Sequence, residues 1–269
     1  MDYKFTKIML GYDDSPASLV ALDKALKTCR AFKTDLYVVY VKSKNSSENN
    51  FAKQIQDKAN VYGVKINYIE KQGNVSREIS HFEKELKSDL IFMGAHGVNG
   101  FQPFWAGSNT LRVVGASNCP VITVQETAIK SDFSRIILPL DDSEDTRQKV
   151  PYSVIIAKAF NSTVHIVSLT KSKNEEIHNK LNIYGRQVQD FLEEREIKHT
   201  YELRQGNNLP QMCIDYANEK NAGLILMMTE TVMLNWFMGT GAQQLINHSP
   251  VPVMAIHTRD LMLSGTSGY

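Results

Sequence analysis

Four of the chain's 15 glycines fall within residues 94–107. Three of them set a spacing: Gly94, Gly97, nine residues, then Gly107-Ser108, the pattern G-x2-G-x9-G-S. That pattern suits a phosphate cradle. Glycine admits positive φ and close backbone approach, and its N–H groups can converge on an anion as a nest. A helix beginning near Ser108 would add its unpaired amides and its dipole. Ser108 and Thr110 supply hydroxyl donors. Asp13, in the run Tyr12-Asp13-Asp14-Ser15, can accept from ribose hydroxyls or cap the helix that follows. Asp14 reads as a turn or cap residue. Val41, closing the run LYVVYV, can form an apolar wall for a base.

These residues need a frame, and the chain writes that frame twice. KIMLGYDDSP (7–16) parallels RIILPLDDSE (135–144). DLIFMG (89–94) parallels GLILMM (223–228), and AGSNTLRVVGASNCPVITV (106–124) parallels MGTGAQQLINHSPVPVMAI (238–256). The offset is 128 at Asp13/Asp141 and 132 at Gly107/Gly239. A repeat of about 130 residues has the size of a domain and is too long for a solenoid unit. The expected division is a first domain over 1–126, a second over 133–258, and a tail over 259–269.

Within each repeat, apolar β-branched runs alternate with segments of helical spacing. In the first, IMLGY, LYVVYV, KINYIE, LIFMG and VITV read as strands. Leu19, Leu22, Leu26 and Cys29 form one helical stripe, Phe51, Ile55 and Ala59 another, and Ile79, Phe82 and Leu86 a third. Ser15 and Pro16 suit N-cap and N1. In the second, IILPL, TVHIVSL, HTYELR, LILMM and VPVMAI repeat the strand pattern, with helices through Phe191-Leu192 and around 212–217. The fold class is α/β: two tandem open parallel-sheet domains, each of about five strands with helices on both faces. Ligands in such sheets bind beyond the carboxyl ends of the strands, at the topological switch point. Asp13, Val41 and the 94–110 segment all follow strands.

Composition narrows the function classes. Hydrophobic residues make up 42% and charged residues 22%, which is ordinary for a folded chain. The net charge of +1 advertises no nucleic-acid partner. No apolar run approaches the roughly 18 residues of a membrane span, and the N-terminus lacks a signal peptide pattern, so a cytoplasmic location is expected. Cys29, Cys119 and Cys213 form no CxxC and read as free buried thiols. The seven histidines show no HxH or HxxxH spacing, so no metal site is expected. His96 has no nucleophile at motif spacing and reads as a loop hydrogen-bonding residue. Phe101, Phe104 and Trp105 read as a packing cluster against a neighbouring domain or subunit.

The whole chain resembles a tandem universal stress protein, with two UspA-type domains in one polypeptide. The resemblance spans nearly residues 5–257 and rests on G-x2-G-x9-G-S at 94–108, DDSP after the first strand, GAHG, and the closing SNCPVITV. It implies an adenine nucleotide α-hydrolase-like sheet and a non-enzymatic stress-response protein that binds ATP. By that resemblance Asp13 and Val41 would contact ribose and adenine. Met93, Gly94 and Gly97 would line the pocket floor, and Gly107, Ser108, Asn109 and Thr110 would hold the phosphates. The nine-residue stretch VNGFQPFWA carries no Lys or Arg, where many relatives have a basic residue. A divalent cation such as Mg would then neutralise the phosphates.

The second repeat departs further. Met228 and Thr231 stand in place of Gly94 and Gly97, and VMLNWFM shortens the intervening stretch to seven residues. Gly239-Thr240 and Asp141 remain. The expectation is that only the first domain binds nucleotide. The alternative is a ligand-free interaction module in which VITV and VPVMAI pair between domains as an intrachain pseudo-dimer, with an unidentified protein partner or a homodimer beyond it. True catalysis is not expected: GK[ST], HxGH and SGGxDS-type loops are all absent.

Overall fold

The computed structural model describes residues 4–42, 51–95, 108–229 and 240–257. The chain divides into two compact units, the first ending at Ile129 and the second beginning at Lys130.

The first unit runs β1 (Ile8–Tyr12), α1 (Pro16–Phe32), β2 (Leu36–Lys42), α2 (Phe51–Tyr62), β3 (Ile66–Gln72), α3 (Val75–Leu86), β4 (Leu90–Ala95), α4 (Ser108–Ala116) and β5 (Val121–Gln125). Its strands are ordered β3-β2-β1-β4-β5 and all described pairs are parallel. β1, β4 and β5 are buried along their lengths apart from a half-buried Gly94, as their apolar runs imply. β2 is buried only in its first half, and its last three residues are half-exposed.

Neighbouring residues of β4 face different helices. A Cβ on Gly94 would strike the backbone of α1 at Ser18. One on Gly11 of β1, paired with Met93, would meet the Met93 sulfur and Ile79 of α3. Side chains alternate across a sheet, so α1 and α3 cover its two sides. α1 also packs on α2, and α3 on α4.

Helix starts follow the sequence signals. Ser15 caps α1, its Oγ accepting from the Ser18 N–H at 3.1 Å, with Pro16 at the first helical position. Asn74 caps α3 in the same way through the Arg77 N–H at 3.1 Å. The α2 stripe of Phe51, Ile55 and Ala59 is buried as expected. The α1 stripe holds at Leu22, Leu26 and Cys29 but not at Leu19, which is 39% exposed.

The second unit repeats the design: β6 (Arg135–Leu140), α5 (Val150–Phe160), β7 (Thr163–Thr170), α6 (Glu175–Glu193), β8 (His199–Gln205), α7 (Leu209–Glu219), β9 (Leu224–Thr229), α8 (Thr240–His248) and β10 (Val253–His257). The order β8-β7-β6-β9-β10 matches that of the first unit strand for strand. A 3-10 turn over Glu144–Arg147 precedes α5, where the first unit enters its helix directly. Among the described residues no helix is long and apolar enough to cross a membrane. Cys29, Cys119 and Cys213 are buried thiols outside any disulfide.

Candidate functional site

The first unit's strand order reverses between β1 and β4, which makes their carboxyl ends the switch point. Register fixes what gathers there. Tyr12 pairs with Tyr40, so Asp13 and Val41 stand one step further on at the same level. Gly11 pairs with Met93, so Met93 and Gly94 lie just below the same edge.

At the β1 end the turn is held by its own side chains. Asp13 Oδ1 accepts from the Ser15 N–H at 3.1 Å and the Ser15 hydroxyl at 2.6 Å. Asp14 sits in the left-handed region at φ 61°, and its Oδ1 accepts the Tyr12 hydroxyl at 3.0 Å. Burial, together with that bond and the nearby carboxylates, pushes the Tyr12 phenol well above its ordinary range. Asp13 thus orders the entry to α1 through Ser15 while remaining exposed at the strand end.

At the β4 end Met93 is buried, and Gly94 is half-buried with no room for a side chain. A Cβ there would lie 2.7 Å from the Ser18 nitrogen and 3.0 Å from two further backbone atoms of α1. Close strand–helix packing therefore accounts for this glycine by itself. Thr110, 6% exposed, donates its hydroxyl to the Gly94 carbonyl at 2.8 Å. That bond fastens the first turn of α4 to the end of β4. Ser108 is the first residue of α4, and Asn109 is exposed beside it. Val41 is half-buried on β2. Gly97 and Gly107 lie outside the described residues, as do His96, Phe101, Phe104 and Trp105. Among the described residues, no group of three His, Cys, Asp or Glu side chains gathers as a metal site.

A match to a known family fits this geometry. The model of the universal stress protein family matches twice, over residues 4–125 and 132–257. The chain belongs to the universal stress protein family. A universal stress protein of Methanocaldococcus jannaschii is 28% identical over 141 residues, covering 45% of this chain and 83% of that protein. The universal stress protein YxiE of Bacillus subtilis is 24% identical over 147 residues, 45% of this chain and 99% of that protein. A crystal structure of a universal stress protein from Archaeoglobus fulgidus shares the fold across both units. Its TM-score is 0.73 at 19% identity, covering 93% of this chain and 98% of that one.

The second universal stress unit keeps the same turn and builds something different beneath it. Asp141 Oδ1 accepts from the Ser143 N–H at 2.9 Å and from the Ser143 hydroxyl, as Asp13 does from Ser15. The Thr146 Oγ accepts the Asp141 N–H at 2.9 Å and the Lys149 ammonium at 3.1 Å. Lys149 also donates to the Thr146 carbonyl at 2.6 Å and is only 2% exposed. Desolvation opposes ionisation of Asp141, but Lys149 and the Ser143 and Thr146 hydrogen bonds outweigh it and hold the carboxyl below its usual range. Burial lowers the Lys149 ammonium to about 8, against attraction from Asp141. Motif spacing does not announce this cluster. The available signal was the repeat itself: at the 128-residue offset Lys149 replaces Ala21, a buried alanine of α1.

Proposed function

We propose that this chain is an adenine nucleotide-binding regulatory protein of the stress response, with ATP held by the first unit. The observation that carries the reading is the meeting of three strand ends. Register brings Asp13, Val41, Met93 and Gly94 to one edge of the sheet, and Thr110 ties the start of α4 to that edge. In this reading Asp13 takes the ribose hydroxyls, Val41 faces adenine, and Met93, Gly94 and Gly97 form the floor. Gly107, Ser108, Asn109 and Thr110 surround the phosphates, with a Mg ion offsetting their charge. Binding orders the loop and changes a surface that a protein partner reads in the cytoplasm. The role is binding rather than turnover.

A second reading has its own support. Gly94 is required by the backbone of α1, and the Thr110 hydroxyl is already given to Gly94, so part of the motif serves packing. On that reading the unit is a ligand-free interaction module. Titration calorimetry with Mg-ATP separates the two. The nucleotide reading expects saturable binding that is lost in Gly97→Val and in Asp13→Ala, with the far-ultraviolet dichroism of both variants unchanged. The module reading expects no heat and no ATP effect on melting.

A further inference from the structure

The second unit holds an open cleft of about 1070 Å³ at the carboxyl ends of β6, β7 and β9. Its walls are mixed: the buried side chains of Leu140, Leu169 and Met227 stand beside the amides of Asn207, Asn208 and Gln244. Its charges cancel: Lys149 and Lys171 face Asp141 and Asp145 around the lining. A lysine that is 2% exposed yet lines a cavity is an unusual expense, because a desolvated ammonium is costly unless it is paired. Among the described residues no carboxylate makes ion-pair contact with Lys149. Its bonds go to the carbonyl and hydroxyl of Thr146, and the latter group hydrogen-bonds the Asp141 carboxylate.

We propose that this cleft is a second ligand site, distinct in chemistry from the first, which takes a small aldehyde or ketone with an apolar body and holds it as an imine on Lys149. The leucines and Met227 offer contact to an apolar body and the side-chain amides offer hydrogen bonds to a carbonyl oxygen, while the two lysines are offset by Asp141 and Asp145 and leave no surplus of cations for a phosphate. Met228, which lines it at the position of Gly94 in the other repeat, puts a side chain where the first unit has none. The Nζ lone pair adds to the carbonyl carbon, and the carbonyl π pair moves to oxygen. The oxygen then leaves as water with the two hydrogens of the neutral amine, giving C=N. Thr146, bridging Lys149 and Asp141, lies where it can pass those protons. Desolvation favours the neutral amine that this step needs. Among the groups around it, the Cys213 thiol of α7 is pushed up to about 12 by burial and stays protonated, while Lys171 stands on the rim.

The test uses the full chain, benzaldehyde and cyanoborohydride at pH 7, with peptide mapping of the reduced benzyl adduct. The expected result is preferential labelling of Lys149, about tenfold or more faster than the chain's exposed lysines, because burial favours its neutral amine. Its labelling should rise with pH and level off above about 8, and an excess of cyclohexanone should suppress it. Lys149→Arg, which keeps the charge, should lose this adduct while ATP binding by the first unit is unchanged. Labelling spread over exposed lysines with Lys149 unmodified would overturn the proposal. So would a Lys149 rate that cyclohexanone does not affect. The mapping of the unaltered protein decides the matter even if the Arg variant does not fold.

Discussion

Lys149 should cost the fold stability at neutral pH. It gives up its proton near pH 8 when folded, against an ordinary value of 10.5. Below pH 8 the folded chain carries a buried ammonium. Between pH 8 and 10.5 the unfolded chain binds the extra proton, so stability rises with pH across that window. Lys149→Met combined with Asp141→Asn removes both charges and keeps much of the volume. The double variant is expected to be more stable by about 1–4 kcal/mol at pH 7, with the gap to the natural protein narrowing from pH 8 to 10.5 in urea titrations. Gly94 offers a steric counterpart. Gly94→Ala drives a Cβ into the α1 backbone and should destabilise by about 1–3 kcal/mol. Gly115→Ala, in α4 with nothing within 4 Å, should instead gain about 0.5–1 kcal/mol. At this scale the sequence was readable for residue type and position but not for reason. Gly94 reads equally well as a ligand approach or a packing necessity, and only the position of Ser18 shows the packing. Lys149 was hidden because a lone lysine in a polar stretch looks solvated until the chain folds over it.

Elements were largely legible where one force dominated. β1 and β6 declare themselves as apolar runs bounded by Asp-Asp-Ser, and the cap Ser15 sits one residue before α1. Ser15→Ala should lower stability by about 1 kcal/mol by freeing the Ser18 amide. α5 was not delimited by periodicity. Val150, Tyr152 to Ala157 are buried all round, so no polar face marks the helix, and a 3-10 turn offsets its start. Leu19 failed in the opposite way: its spacing fits the α1 stripe, yet the residue stands at the exposed edge. The β8–α7 junction carries a further prediction. Hydrogen bonds from Lys220 and Arg204 hold the Glu202 carboxyl down to about 2. A depressed carboxyl adds stability above its ordinary 4.5 and loses it as pH falls toward 2. Acid titrations of Glu202→Gln should therefore show a flatter loss between pH 4.5 and 2 than those of the natural chain, a modest effect because the cluster is partly solvated.

For the whole molecule, duplication was the clearest feature of the sequence, because landmarks recurring in order at near-constant spacing require a common frame. The two units share one strand order and one Asp-x-Ser turn, and differ in what lies beneath it. The repeats diverge at single side chains, Ala21 against Lys149 and Gly94 against Met228, and in the length of the stretch before Gly107 and Gly239. The strand order survives both kinds of change. The central claim is that one unit of the pair holds an adenine nucleotide. Its most direct test is the nucleotide content of the chain purified without added ligand, denatured, and resolved by chromatography. About one ATP or ADP per chain is expected, absent from Gly97→Val. Two per chain, or none together with no ATP-induced rise in melting temperature, would contradict it.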